Sequence, residues 1–275
     1  MGSSSSASAS RLVRVASLRA GIRLAAAALA LIAPAVSIAE LSNDALIGPG
    51  LRSRPAYDGS ASQRTELVPV IRYFGERWFV RSTQGVLEGG WRLELTPGLH
   101  AGAQLAYEPG RLAGESALLG SHAVADIKRG ASLGAHLEWD HSLGPVPITL
   151  LARVRKHTDS DLGLQGDLRL SVGVFHSGPV SAGVFTQGTW ADARSVNALY
   201  GVTPQQSAIT GLPTFGARGG NLFASVGLLG SVDLGTRWAL VGSYEVRRLR
   251  GDAAASPLAE RASNHLLSAG IAWRL

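Results

Sequence analysis

The sequence predicts an all-β protein, a transmembrane antiparallel up-and-down β-barrel of about twelve strands. Three observations predict it. Apolar and polar residues alternate with period two over segments of about ten residues. Tight turns containing Gly alternate along the chain with long connections. After Glu40, no apolar run reaches the ~18 residues expected of a membrane helix.

The chain opens with Arg11, Arg14, Arg19 and Arg23 and no acid before Glu40, then the apolar run Leu24 to Val36, then Ser37-Ile38-Ala39. This is the layout of a secretory leader, with cleavage expected after Ala39. The run holds thirteen residues and is interrupted by Pro34. It is therefore too short to span a bilayer as a helix, which takes ~20. The expected organisation is a signal peptide over 1–39 and a barrel over 40–275, bound for the outer membrane of a Gram-negative envelope.

Composition narrows the function. The net charge is +6, from 26 Lys+Arg against 20 Asp+Glu, and four of those charges lie in the leader. The remainder is nearly balanced, so no nucleic-acid partner is expected. Zero Cys removes disulfides, Fe–S clusters, thiolate zinc sites and Cys nucleophiles. Gly is the unusual component, 34 of 275 residues, or about 12% against a usual ~7%. Turns and small inward residues in a narrow lumen would use them.

Eleven strands follow from alternation: Leu67 to Phe74, Arg77 to Gly85, Gly89 to Leu95, Leu99 to Tyr107, Ser132 to Asp140, Val146 to Arg155, Asp167 to Phe175, Val180 to Thr189, Asn221 to Ser231, Arg237 to Arg248 and His265 to Leu275. Ser132 to Asp140 is the clearest. Leu133, Ala135, Leu137 and Trp139 take one face, while Ser132, Gly134, His136, Glu138 and Asp140 take the other. Bacterial barrels have even strand numbers with both ends in the periplasm, so a twelfth strand is expected within Asp44 to Ser53, where Gly48-Pro49-Gly50 masks it.

The turns at Phe74-Gly75-Glu76-Arg77, Thr96-Pro97-Gly98, Leu143-Gly144-Pro145, Ser177-Gly178-Pro179 and Leu234-Gly235-Thr236 are short. The connections Glu108 to Ala131, His157 to Gln165, Trp190 to Gly219 and Leu249 to Ser263 are long. Short turns belong on the periplasmic side and long loops outside. Tyr73, Trp78, Trp139, Trp238 and Trp273 then fall near the periplasmic strand ends and predict an aromatic girdle. In the longest loop, Val202 to Ser207 should start a short helix that Gly211-Leu212-Pro213 ends, forming either a lid on the barrel mouth or a contact for a partner.

The inward face should carry Arg92, Glu94, His136, Glu138, Asp140, Arg153, Arg155, Asp167, Arg169, Glu245, Arg247 and Arg274. Both signs occur, which predicts internal ion pairs rather than the single-sign rings of a selective channel. His136, Glu138 and Asp140 share a face, but Arg153 and Arg155 on the next strand can pair with them, so no metal site is expected. His176 beside Ser177, and His265 near Ser263, are not placed by alternation beside both a nucleophile and an acid. Gly216 to Gly220 lacks the Lys-Ser or Lys-Thr of a phosphate loop. No catalytic residue, metal or cofactor is therefore assigned, and no binding residue is identified.

Several segments together resemble the MipA/OmpV family of outer-membrane proteins, that is, proteins like the MltA-interacting protein. They are Pro55-Ala56-Tyr57-Asp58-Gly59-Ser60, Val68 to Tyr73 with Arg77-Trp78-Phe79-Val80, Tyr200-Gly201-Val202-Thr203 with Ser207 and Gly211-Leu212-Pro213-Thr214-Phe215, Leu249 to Ala254 with Ser256-Pro257-Leu258, and the ending Ala272-Trp273-Arg274-Leu275. Phe215, Ala208 and the terminal Leu275 depart from the family pattern. The resemblance implies a non-enzymatic scaffold that links a murein hydrolase to a peptidoglycan synthase, in contact with outer-membrane lipid and lipopolysaccharide. A narrow pore or small-molecule channel, a surface adhesin, and a hydrolase using His136 or His265 are the other readings. The scaffold reading meets one difficulty: the longest loop faces outside, leaving the periplasmic face only tight turns and the segment 40–53.

Overall fold

The computed structural model describes residues 45–83 and 86–275. The leader expected over 1–39 lies outside the described residues. Twelve strands close into one antiparallel barrel in sequence order, with β1 returning to β12. They are β1 (Leu46–Pro55), β2 (Gln63–Phe74), β3 (Trp78–Thr83), β4 (Val86–Thr96), β5 (Leu99–Glu108), β6 (Gly130–Leu143), β7 (Val146–His157), β8 (Leu164–Ser177), β9 (Val180–Ala191), β10 (Gly220–Leu234), β11 (Trp238–Leu249) and β12 (Ser263–Arg274). Closure gives the wall no outer edge, which a sheet in hydrocarbon requires. Most strands run longer than the alternation marks, β3 being shorter than the expected Arg77 to Gly85, and Trp190 and Ala191 belong to β9 rather than to the loop.

The twelfth strand expected near the start is β1. Its ladder to β12 runs Leu46↔Arg274 and Ile47↔Trp273, then resumes at Gly50↔Gly270. Pro49 sits in that interruption, where the amide hydrogen it lacks is not needed. A second irregular seam lies between β2 and β3, whose ladder holds only Arg72↔Arg81, Tyr73↔Val80 and Phe74↔Phe79. One residue further along β2, the Ile71 N–H donates to Ser82 Oγ at 3.0 Å, a side chain serving where the ladder stops.

The five tight turns share one rim with the start of β1 and the end of β12, the periplasmic side by the barrel rule. The outward face there carries the expected girdle. Tyr73, Trp78, Trp139 and Trp238 are exposed, and Trp238 pairs in register with Trp273, their rings edge-on at 4.8 Å. Above it, Leu133, Leu168, Val226, Leu228, Leu240 and Leu267 face outward, the apolar band a bilayer demands.

At the opposite rim the connections fold over the mouth. Among the described residues, four short α-helices lie there: α1 (Ala117–Ser121), α2 (Ala193–Tyr200), α3 (Pro204–Thr210) and α4 (Gly251–Ala255). The expected start at Val202 to Ser207 is α3. Thr203 and Gln206 form a reciprocal capping box at its N-terminus, Pro204 opens it, and Gly211 ends it at φ 71°. The alternation did not reveal α2, whose N-cap Asp192 accepts from the Ser195 amide at 2.7 Å.

Candidate functional site

The molecule's interior has three levels: a cap of packed loops, a layer of ion pairs below it, and a cavity reaching the turn rim. Each level traces to particular residues.

The cap has two apolar clusters. Val196, Tyr200 and Ala217 of the longest loop pack on Leu222, Phe223, Leu249 and Ala253. Ala56, Tyr57, Leu119, Val124, Val202 and Leu258 form the second. Hydrogen bonds tie the loops together. Tyr57 Oη donates to the Leu258 carbonyl at 2.6 Å, Tyr200 Oη to the Asp58 carbonyl at 2.9 Å, and Ser256 Oγ to the Tyr200 carbonyl at 2.6 Å. Asn264 closes the group, accepting from Gly59 N–H and donating to the Ser60 carbonyl. Three of the segments that carry the family resemblance, 55–60, 200–215 and 249–258, thus meet in the cap. Residues of the longest loop pack over the barrel mouth.

Burial raises the Tyr57 phenol to about 12, with Glu260 adding to the shift. It raises Tyr200 well above the usual tyrosine range. The Arg111 guanidinium is lowered by burial and donates to the Leu199 carbonyl. At the exposed edge, Arg218 holds the Asp252 carboxyl below its ordinary value through a hydrogen bond.

Below the cap, inward charges pair both along the wall and across the lumen. Arg81 meets Glu88 at 2.5 Å and Glu138 at 2.7 Å. Arg153 meets Glu88 at 3.0 Å and Asp167 at 2.9 Å. Arg155 meets Glu108, and Arg247 bridges Glu245 to Asp58 of the cap. This corrects one expectation. Glu138 does not pair with Arg153 or Arg155 on the neighbouring strand, because in so narrow a lumen an Arg side chain reaches non-adjacent strands. Asp140 instead accepts from Thr149 Oγ1 at 2.7 Å, and His136 stands edge-on to Phe79 with ring centroids 5.0 Å apart. The His136–Glu138–Asp140 row is therefore divided among three separate partners.

The other candidate histidines are also dispersed. His141 stacks on Trp139. His176 bonds Ser181 Oγ at 2.9 Å. His265 faces outward and bonds Tyr244 Oη at 2.7 Å.

Sequence reasoning missed Arg52, Arg54, Arg81 and Glu88, and it missed the inward phenylalanines. Guanidinium carbons lie 5.2 Å from the Phe79 ring centre for Arg81, 3.8 Å from Phe185 for Arg169 and 4.3 Å from Phe223 for Arg247, within cation–π range. The available signal was parity: Phe79 shares its face with Arg81, and Phe223 with Ser225. Gly227 leaves the space for Phe185. A Cβ there would sit 2.4 Å from that ring.

Toward the turn rim lies a cavity of about 720 Å³ bounded by Pro97, Gly98 and Ser142 at its mouth. Arg81, Arg92, Arg169 and Glu138 line it deeper in. A smaller cavity of about 200 Å³ lies under the cap between Arg54, Tyr200 and Arg247. Arg153 and the pairs around it separate the two.

A closed twelve-stranded barrel with a lipid-facing apolar band, an aromatic girdle and a capped polar lumen defines an outer-membrane β-barrel protein. The chain matches the family model described as "MltA-interacting protein MipA" over residues 47–275. It belongs to that family. No curated protein matches it in sequence. Among solved structures, it is similar to an outer membrane channel from Pseudomonas putida F1, at 11% identity and TM-score 0.50 over 89% of this chain and 100% of that one. It is also similar to the translocator domain of the autotransporter NalP from Neisseria meningitidis, at 11% identity and TM-score 0.47 over 96% and 98%. At such identity the likeness concerns the fold alone.

Proposed function

We propose that the protein is a non-enzymatic interaction protein of the outer membrane. It is exported by its leader and cleaved after Ala39, and it holds a murein-associated enzyme at its periplasmic face. The observation that supports this is the polarity of the lumen. Packed loops and buried ion pairs occupy the outer half, whereas the cavity of about 720 Å³ reaches the turn rim. A periplasmic partner thus meets a concave surface and not only tight turns, which removes the difficulty raised by the outward-facing loop. The family's name, which describes interaction with MltA, agrees with a murein-related partner. The outward apolar face and girdle are the surfaces for outer-membrane lipid and lipopolysaccharide.

The test is photo-crosslinking in intact envelopes from two positions, Ser142 at the turn rim and Gln205 in the cap. Periplasmic murein enzymes attached from Ser142 and not from Gln205 support the reading. Attachment of surface molecules from Gln205, with only lipid at Ser142, removes it.

A further inference from the structure

The turn-side cavity has an uneven charge chemistry. Its acids are engaged by the wall: Glu138 by Arg81 Nη1 at 2.7 Å, Asp140 by Thr149, and Glu94 by the Gly98 N–H at 3.0 Å. Its bases are less completely used. Arg81 and Arg169 are 8% and 6% exposed, and Arg81 Nη2 and Arg169 Nη1 have no hydrogen-bond partner among the described residues. The same holds for Arg92 Nε. Buried guanidinium nitrogens without acceptors are costly, and an incoming anion would satisfy them. Arg72, Arg81 and Arg92 also converge on one ring, at 5.5, 5.9 and 4.7 Å from the centre of Phe74.

The facing wall is of another kind. Val70 on β2, Leu229 on β10 and Val241 on β11 line the same cavity. A volume of about 720 Å³ falls within the usual range for small-molecule sites, roughly 300–1,000 Å³.

We propose that this cavity is a binding site for an amphipathic organic anion entering from the periplasm. Its carboxylate or other oxyanion lies among Arg81, Arg92 and Arg169, and its apolar body lies against Val70, Leu229 and Val241. Guanidinium forks match an oxyanion's geometry, and Phe74 supplies a flat surface beside them. The inference goes beyond the scaffold reading and does not depend on it, since a crosslinking result without murein enzymes would leave it intact.

The test uses the full mature chain in phosphatidylcholine nanodiscs, with fluorine NMR of 4-(trifluoromethyl)benzoate as the probe. Empty discs serve as blank, and the heat-dependent gel shift reports folding. Saturable binding is expected, weaker by about tenfold in Arg92→Gln, the loss of roughly one charge-assisted hydrogen bond. Arg92 is the variant of choice because the ion-pair layer does not use it. The corresponding neutral amide should bind at least about tenfold more weakly than the carboxylate. Val241→Trp should abolish binding by filling the apolar side while leaving the gel shift unchanged. Inorganic phosphate should displace the probe only at far higher concentration than unlabelled benzoate does. Absence of saturable binding, equal binding of acid and amide, or full affinity in a folded Arg92→Gln would overturn the proposal. Phosphate competing as well as benzoate would overturn the apolar part of the site.

Discussion

Arg153 on β7 and Glu88 on β4 stand 3.0 Å apart, although β5 and β6 separate their strands in the wall. The contact therefore crosses the lumen. Glu88 also receives Arg81 at 2.5 Å and the Gln104 amide at 3.2 Å, so one carboxylate joins β3, β5 and β7. Removing one partner of a buried pair leaves the other uncompensated, at about 3–5 kcal/mol. Glu88→Ala is expected to lower unfolding free energy in lipid by up to about that amount, since Arg81 and Arg153 each lose one of their two carboxylates and keep only Glu138 and Asp167. Replacing Glu88 and Arg153 together by Met should recover part of it. Urea titration of the folded gel band measures both. A loss no larger than that of an exposed pair, under about 1 kcal/mol, would mean that the layer is hydrated and contributes little.

Alkaline pH should act on the cap. The folded Tyr57 phenol is raised to about 12, against an unfolded value of about 10. Its protonated form is favoured by folding, so its contribution is complete below about pH 10 and is lost as pH rises toward 12. Protease sensitivity of the loop 192–219 is expected to increase over that interval. Tyr57→Phe keeps the ring but lacks the phenol, so it should move the alkaline onset while losing the bond to Leu258, worth about 0.5–1.5 kcal/mol. An unchanged onset in the variant would assign the opening to other groups.

Gly227 and Phe185 set the bore of the barrel. With a Cβ 2.4 Å from the Phe185 ring, Gly227→Val must displace that ring and the Arg169 guanidinium lying over it. Overpacking of this kind costs about 1–3 kcal/mol. A shift in the urea midpoint should report it, and Gly227→Val with Phe185→Leu should regain most of the loss. If the single variant were as stable as the parent, Phe185 would not be fixed between β9 and β10.

The wall was legible because each lipid-facing residue is read by one property, its polarity, at one period. Leu133, Leu137 and Trp139 alternate with His136 and Glu138 whatever their neighbours do. β1 was hidden because its middle is built around a ladder interruption, where Gly48 and Pro49 obey backbone geometry and not hydropathy. The lumen was legible only as a set of charges. Arg81–Glu88 and Arg153–Asp167 join register neighbours on adjacent strands, but Arg81–Glu138 and Arg153–Glu88 depend on which strands face one another across the bore, and alternation along one strand carries no information on that. The pairing of Arg81 with Glu138, 57 positions apart in sequence, is an instance. The cap was visible as motif segments and as one helix start. Its assembly rests on Tyr57, Tyr200 and Asn264 reaching carbonyls in distant loops, which no local pattern announces.

The cap and the ion-pair layer close the lumen between the periplasmic cavity and the outer surface. Planar-bilayer recording of the purified full chain tests this closure most directly. The cap and the Glu88–Arg153 layer predict no steady current in the parent protein, and a current that appears when Glu88 and Arg153 are both replaced by Ala and the loop 193–217 is removed. A steady, voltage-independent conductance in the unmodified chain would instead establish an open pore.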